Sequence, residues 1–231
     1  MTFDYRSFGE SEGVPRQVVD IQGQIEDFHA AIKYAREYEG LDSERIALWG
    51  SLLGGGHVIS AASQDPRIAA VVAQIPFNGF PRKVEGRSTI TTIKILAAMI
   101  RDLIRKKYHK DPYYIRAVGN IGELAVMSSS EAHKTIEAMA SKNWKNEIAP
   151  RALFEMMKYK PSDAAPNIKA PVLICYGEHD LETTSDTTKE LVAKLVNCET
   201  KSYPVAHFDF YREGIRDKIT SDQIAFLKKN M

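Results

Sequence analysis

The sequence predicts an α/β fold: a mostly parallel sheet covered by helices on both faces, with a helical insertion between two of its strands. Three observations predict it. Strand-like and helix-like stretches alternate along most of the chain. Two strand-like runs, Ile68 to Ile75 and Pro171 to Tyr176, are apolar at almost every position, as strands buried on both faces are. Finally, Arg45 to Ile59 (R-I-A-L-W-G-S-L-L-G-G-G-H-V-I) passes from an apolar run into a periodic segment through a cluster of small residues, the layout of a strand turning sharply into a helix.

Met1 to Tyr5 reads as a short strand. After a Gly/Ser/Glu/Pro loop, Val19 to Glu39 carries Ile21, Ile25, Phe28, Ala31, Ile32 and Ala35 at helical spacing and is stopped by Gly40. The apolar run Ile46 to Trp49 is the next strand, and the helix after it runs from about Leu53 until Asp65-Pro66 ends it. Ile68 to Ile75 and Pro171 to Tyr176 follow as strands, with a shorter one at Thr200 to Tyr203. Between those two, Thr183 to Val196 is helical through Leu191, Leu195 and Val196, and Ile215 to Lys229 closes the chain as an amphipathic helix.

The stretch from Asn78 to Ala165 breaks the alternation. Ile90, Ile93, Ile95, Leu96, Met99, Ile100, Leu103 and Ile104 belong to a strongly apolar helix, followed by the basic run Arg105-Lys106-Lys107 and a second helical region around Glu131 to Ala140. Residues 1–77 and 166–231 are therefore expected to form the core, and 78–165 a helical lid over the strand ends where ligands bind in such sheets. Connections this long inside a compact domain are uncommon and usually functional. The alternative is that these helices only pack on the sheet.

Composition excludes several classes of function. With 31 basic and 30 acidic side chains, the formal net charge of +1 gives no footprint for nucleic acid or an anionic membrane as partner. The N-terminus has no apolar signal-like region, and no apolar run reaches spanning length. Cys175 and Cys198 have no framework spacing, which points to a reducing, cytoplasmic setting. No cofactor is expected. Gly54-Gly55-Gly56 is not a dinucleotide fingerprint, because the last glycine of that pattern would fall on Ile59, and no Lys-Ser/Thr follows to make a phosphate loop. No metal is expected either, since His29, His109 and His133 lie on separate segments without ligand spacing, and His57 reads as a packing residue.

The turn after Ile46 to Trp49 has the spacing of a nucleophile elbow, Gly-x-nucleophile-x-Gly, with Gly50 and Gly54 as its flanking glycines. Its apex is Leu52, which cannot attack a carbonyl. Taken with F-D-Y-R-S-F-G-E-S-E-G-x-P-R-Q-V-V-D (Phe3 to Asp20), G-E-H-D (Gly177 to Asp180) and Y-P-V-A-H-F-D (Tyr203 to Asp209), this turn resembles the α/β-hydrolase superfamily, in particular its serine-aminopeptidase-like hydrolases and its polyketide transferases and thiohydrolases. Ser7 stands where that branch usually has glycine. The resemblance extends from Phe3 to Leu227, with the motifs in the order nucleophile, acid, histidine that this fold uses.

That resemblance implies Asp180 as the triad acid, His207 as the base and Leu52 at the nucleophile position. Ser51 precedes the apex, and because neighbouring side chains diverge at a tight turn it is not expected to reach His207. The backbone N–H of Leu53 is the implied oxyanion donor, and a second donor would come from a strand and loop ahead of Met1 in a typical member. The reading is therefore a degenerate triad in a truncated relative. Its partner is a small acyl substrate or ligand, and a homo-oligomer would complete the open edge of the sheet. Two functions remain open: an impaired acyl hydrolase or transferase, and a non-catalytic scaffold for an apolar acyl ligand or a protein partner.

Overall fold

The computed structural model describes residues 1–81, 88–128 and 130–231. The chain divides into two compact units, one formed by Met1, Ile25–Arg82 and Tyr159–Met231, the other by Thr2–Gln24 and Lys83–Lys158. Residues 82–87 and 129 of the expected lid lie outside the described residues.

The first unit is built on a parallel sheet. Helix α1 (Ile21–Glu37) leads to strand β1 (Ala47–Ser51), helix α2 (Leu53–Gln64) and strand β2 (Ala70–Gln74). The second unit then contributes α3 (Thr89–Lys107), β3 (Arg116–Gly119), β4 (Ala125–Ser128), α4 (Ser130–Met139) and α5 (Ala152–Met156). The chain re-enters the sheet with β5 (Val172–Gly177), crosses α6 (Ser185–Val192) to β6 (Cys198–Tyr203) and ends in α7 (Ile215–Asn230). Strand order is β1-β2-β5-β6, and every neighbouring pair is parallel.

Position in the sheet matches the sequence of each strand. All five residues of β2 are buried, and so are Val172 to Cys175 of β5, the two inner strands with continuous apolar runs. At one edge, β6 exposes Glu199, Thr200, Lys201 and Ser202, the polar and charged side chains that keep an edge from recruiting another chain. The other edge is β1, which holds no charged residue and leaves Trp49 51% exposed. Its register against β2, from Ala47 opposite Ala70 to Ser51 opposite Gln74, fixes where the elbow begins. On one side of the sheet Ile75, Leu173 and Phe210 pack with Ile219 and Phe226 of α7 in a single buried cluster.

The expected strand at Met1 to Tyr5 does not form. Those residues are irregular because their polar groups serve a turn: Glu10 donates its N–H to the Asp4 carboxylate at 2.9 Å, and the Ser11 hydroxyl donates to the Asp4 carbonyl at 2.6 Å. With that strand absent, β1 is left as the edge. Residues 2–24 belong to the second unit through backbone-level contacts. Ala149 donates its N–H to Gln17 O at 3.0 Å, the Gln17 amide donates to Lys145 O at 3.1 Å, and the Tyr114 hydroxyl donates to Arg16 O at 2.8 Å. The insertion carries the expected helices α3 and α4. It also holds the paired strands β3 and β4, four residues each and too short for their periodicity to stand out in the sequence.

Candidate active site

Strands β1, β5 and β6 run parallel, so their C-terminal ends open on the same edge of the sheet. Each leads into one of the candidate residues: Leu52 directly after β1, Asp180 three residues after β5, and His207 four residues after β6.

The turn after β1 is an elbow in its backbone. Leu52 has φ 56° and ψ −124°, a left-handed conformation that a branched side chain adopts only when its surroundings hold it there. The holding groups are visible. Leu52 donates its N–H to Gln74 O at 3.1 Å, and its own carbonyl accepts from Gly56 N at 3.2 Å and from Phe77 N at 2.8 Å. Glycine is required at position 50, since a Cβ there would lie 2.2 Å from the carbonyl oxygen of Gly54. Leu52 packs its side chain against the cluster of Ile75, Leu173 and Phe210. Leu53 opens α2, so its N–H is among those a helix start leaves without an internal partner.

Ser51, the last residue of β1, is committed elsewhere. Its hydroxyl shares a 2.7 Å hydrogen bond with Tyr211 Oη and accepts one from Gln74 Nε2 at 3.2 Å. The network continues through Gln223, whose Nε2 donates to Gln74 Oε1 at 2.9 Å and whose Oε1 accepts from Trp49 Nε1 at 2.9 Å. Burial pushes the Tyr211 phenol up from its ordinary range, so it stays a neutral hydroxyl partner for Ser51.

The acid and base are brought together. His207 Nδ1 lies 2.7 Å from Asp180 Oδ2, and both side chains are almost completely buried. A carboxylate only accepts, so Nδ1 donates this hydrogen bond. Asp180 is fixed on its other sides: Oδ1 accepts the backbone N–H groups of Glu182 and Thr183, each at 2.8 Å, and Oδ2 accepts the Thr183 hydroxyl at 2.8 Å. The loops carrying the pair are joined by backbone hydrogen bonds, from Glu178 N–H to Tyr203 O at 2.8 Å and from His179 N–H to Val205 O at 3.2 Å. Gly177 permits that approach, because a Cβ there would meet Val205 O at 2.6 Å. His207 Nε2 is buried and has no hydrogen-bond partner among the described residues. An imidazole oriented by a carboxylate with its second nitrogen unbonded has the geometry that general acid-base chemistry uses.

Behind the elbow, α2 holds a second buried imidazole. His57 Nδ1 is 3.0 Å from Tyr159 Oη, which also bonds the Ser60 hydroxyl at 2.8 Å. Burial lowers the His57 pKa to about 4. Among the described residues, no group of three or more His, Cys, Asp or Glu side chains is placed to hold a metal ion.

The sequence reading missed Thr183, Tyr211, Gln74 and Gln223. Thr183 was within reach, since Asp180-Leu-Glu-Thr183 ahead of a helix is the pattern of an Asx turn. The other three become neighbours only through strand register and the packing of α7, and no local pattern marks them.

This fold and the arrangement after its strands define a class, that of the α/β hydrolases. Within it, the family model described as serine aminopeptidase, S33, matches residues 1–213, and the chain belongs to that family. It is 36% identical over 232 residues to quorum-quenching protein AidA of Acinetobacter baumannii (strain MDR-ZJ06), covering 99% of this chain and 76% of that protein. It is also 29% identical over 211 residues to thiohydrolase apmlB of Arthrinium phaeospermum, covering 84% of this chain and 66% of that one. Among solved structures, the alpha/beta hydrolase GrgF from Penicillium sp. sh18 superposes with a TM-score of 0.79 at 22% identity, covering 99% of this chain and 78% of that chain.

Proposed function

We propose that this protein keeps the acid and base of an acyl-transfer triad, Asp180 and His207, but does not form an acyl-enzyme, and that it holds a small acyl ligand in a non-catalytic α/β-hydrolase scaffold. One observation carries the reading: the apex of the elbow is Leu52, and the neighbouring hydroxyl, Ser51, is bound to Tyr211 and Gln74. Without a nucleophile at the apex, the free Nε2 of His207 has no hydroxyl to deprotonate. In this reading the Leu53 N–H is an oxyanion donor, and the helical insertion acts as a lid. The relatives' names, a thiohydrolase among them, support the choice of an acyl ligand. The free thiols of Cys175 and Cys198 fit a reducing cytoplasm. The open side of β1, which has no charged residue, is where a strand of a second copy would complete the sheet.

Fluorophosphonate labelling together with turnover of activated acyl esters tests this. The unmodified protein is expected to give neither signal, and Leu52→Ser is expected to give both. Labelling of the unmodified protein that disappears in Ser51→Ala would overturn the proposal. A solution mass of one chain would remove the oligomer.

A further inference from the structure

Helix α3 has two apolar faces, and the second unit buries only one of them. Thr91, Ile95, Ala98, Met99 and Asp102 make the buried face. The opposite face carries Ile90, Ile93, Leu96, Ile100, Leu103 and Ile104, each between 46% and 66% exposed. Their spacing keeps them on one side of the helix, a stripe roughly 21 Å long at about 1.5 Å per residue. A surface helix of a globular protein ordinarily has one apolar face, and a contiguous aliphatic patch in water marks something that covers it.

Charge identifies the cover. The whole chain has a net charge of +1, but that average hides α3, which contains Lys94, Arg101, Arg105, Lys106 and Lys107 and a single acid, Asp102. Asp102 is fully buried: it accepts from Tyr113 N at 2.9 Å and Arg151 N at 3.1 Å and lies 3.4 Å from the Arg151 guanidinium. The solvent side of α3 is therefore aliphatic and cationic, with no acid. Lys94, Arg101 and Arg105 follow one another at spacings of seven and four, a basic row along one flank of the stripe. Two copies joined antiparallel through this stripe would set that row against itself, base against base, with no acid to compensate. An anionic bilayer surface takes both parts, the aliphatic stripe below the headgroups and the basic row among them. Among the described residues, no helix is long and apolar enough to cross a membrane, so α3 would lie in the surface.

We propose that α3 docks this protein on anionic lipid surfaces through Ile90, Ile93, Leu96, Ile100, Leu103 and Ile104, with Lys94, Arg101 and Arg105 at the headgroups. This is independent of what happens at Leu52.

The test is co-sedimentation of the full chain with vesicles of equal parts phosphatidylcholine and phosphatidylserine, against vesicles of phosphatidylcholine alone. Sedimentation with the mixed vesicles is expected, weakening as salt rises from about 0.1 M to about 1 M. The triple substitution Lys94→Gln/Arg101→Gln/Arg105→Gln should weaken binding by about 100-fold, at about one factor of five per charge. Ile93→Ser/Leu96→Ser/Ile100→Ser should abolish it. Far-UV circular dichroism and a cooperative melting transition confirm that both variants fold. The proposal is overturned if the unmodified chain stays in the supernatant with mixed vesicles. It is equally overturned if the chain sediments as a dimer in solution and the Ile93/Leu96/Ile100 variant as a monomer, which would assign the stripe to a second copy.

Discussion

The two halves of the candidate site are held by different kinds of interaction. In the acid-base half, side chains specify the geometry: the Asp180 carboxylate meets two backbone N–H groups, the Thr183 hydroxyl and the His207 ring. In the elbow half the backbone specifies it. Gly50, the Leu52 N–H bond to Gln74 O and the two bonds to Leu52 O keep the turn in place whatever side chain sits at the apex. The acid-base pair also has backbone support, from the Glu182 and Thr183 N–H groups, but unlike the elbow it depends on the identity of both side chains.

Placing a serine at the apex gives the largest effect and the most direct challenge to this contrast. In the Leu52→Ser background, Asp180→Asn should slow fluorophosphonate labelling by about 10²- to 10⁴-fold, because the Glu182 and Thr183 N–H groups would hold the amide oxygen and turn its NH2 toward Nδ1, favouring the wrong tautomer of His207. If Leu52→Ser labels and Asp180→Asn leaves the rate unchanged, the acid-base half is not assembled for catalysis and the contrast fails.

The next effect concerns the helix that backs the elbow. His57 has a folded-state pKa of about 4 against an ordinary 6.5. Below 6.5 the unfolded chain takes up a proton that the folded protein refuses, so stability is complete above that pH and falls as pH drops from about 6.5 to about 4. The loss is about 3 kcal/mol for a shift of this size. Urea unfolding across that range should show it, and His57→Gln, which does not titrate, should remove that component of the slope. A slope identical in both proteins would mean that His57 is not held neutral in the core.

The fold was legible in the sequence because its signals are local. Continuous apolar runs gave β2 and β5, helical stripes gave α1 and α7, and the glycines around Leu52 gave the turn, each within a residue or two of its observed ends, whereas α3 runs three residues further than its apolar stripe, through the basic run to Lys107. Met1 to Tyr5 was misread as a strand because alternating aromatic residues look the same whether their backbone pairs or, as here, is drawn into the turn that Asp4 closes. Asp180 and His207 were legible through family motifs, and the structure places them in contact. The partners of Ser51 were not. Tyr211 and Gln74 are 160 and 23 residues away from it in the chain and meet it through tertiary packing alone. That network yields a smaller prediction: Ser51→Ala should cost about 1 kcal/mol in unfolding free energy, the usual worth of a hydrogen bond, without changing labelling in the Leu52→Ser background.

The smallest effect tests the elbow itself, and its sign matters more than its size. At an ordinary position glycine is less stable than alanine by roughly 0.5–1 kcal/mol, because it has more conformational freedom to lose. At φ 56° the order should reverse. Leu52→Ala and Leu52→Gly both lose the contacts with the core cluster, so comparing them cancels most of the packing term and leaves the backbone. Alanine keeps the strain of a left-handed residue, roughly 1–3 kcal/mol, and glycine does not. Leu52→Gly should therefore unfold at a higher urea concentration than Leu52→Ala, by about 1 kcal/mol after the glycine entropy is subtracted. If alanine proves the more stable, the apex is not strained in solution, and the backbone that now defines the elbow relaxes when no catalytic residue requires it.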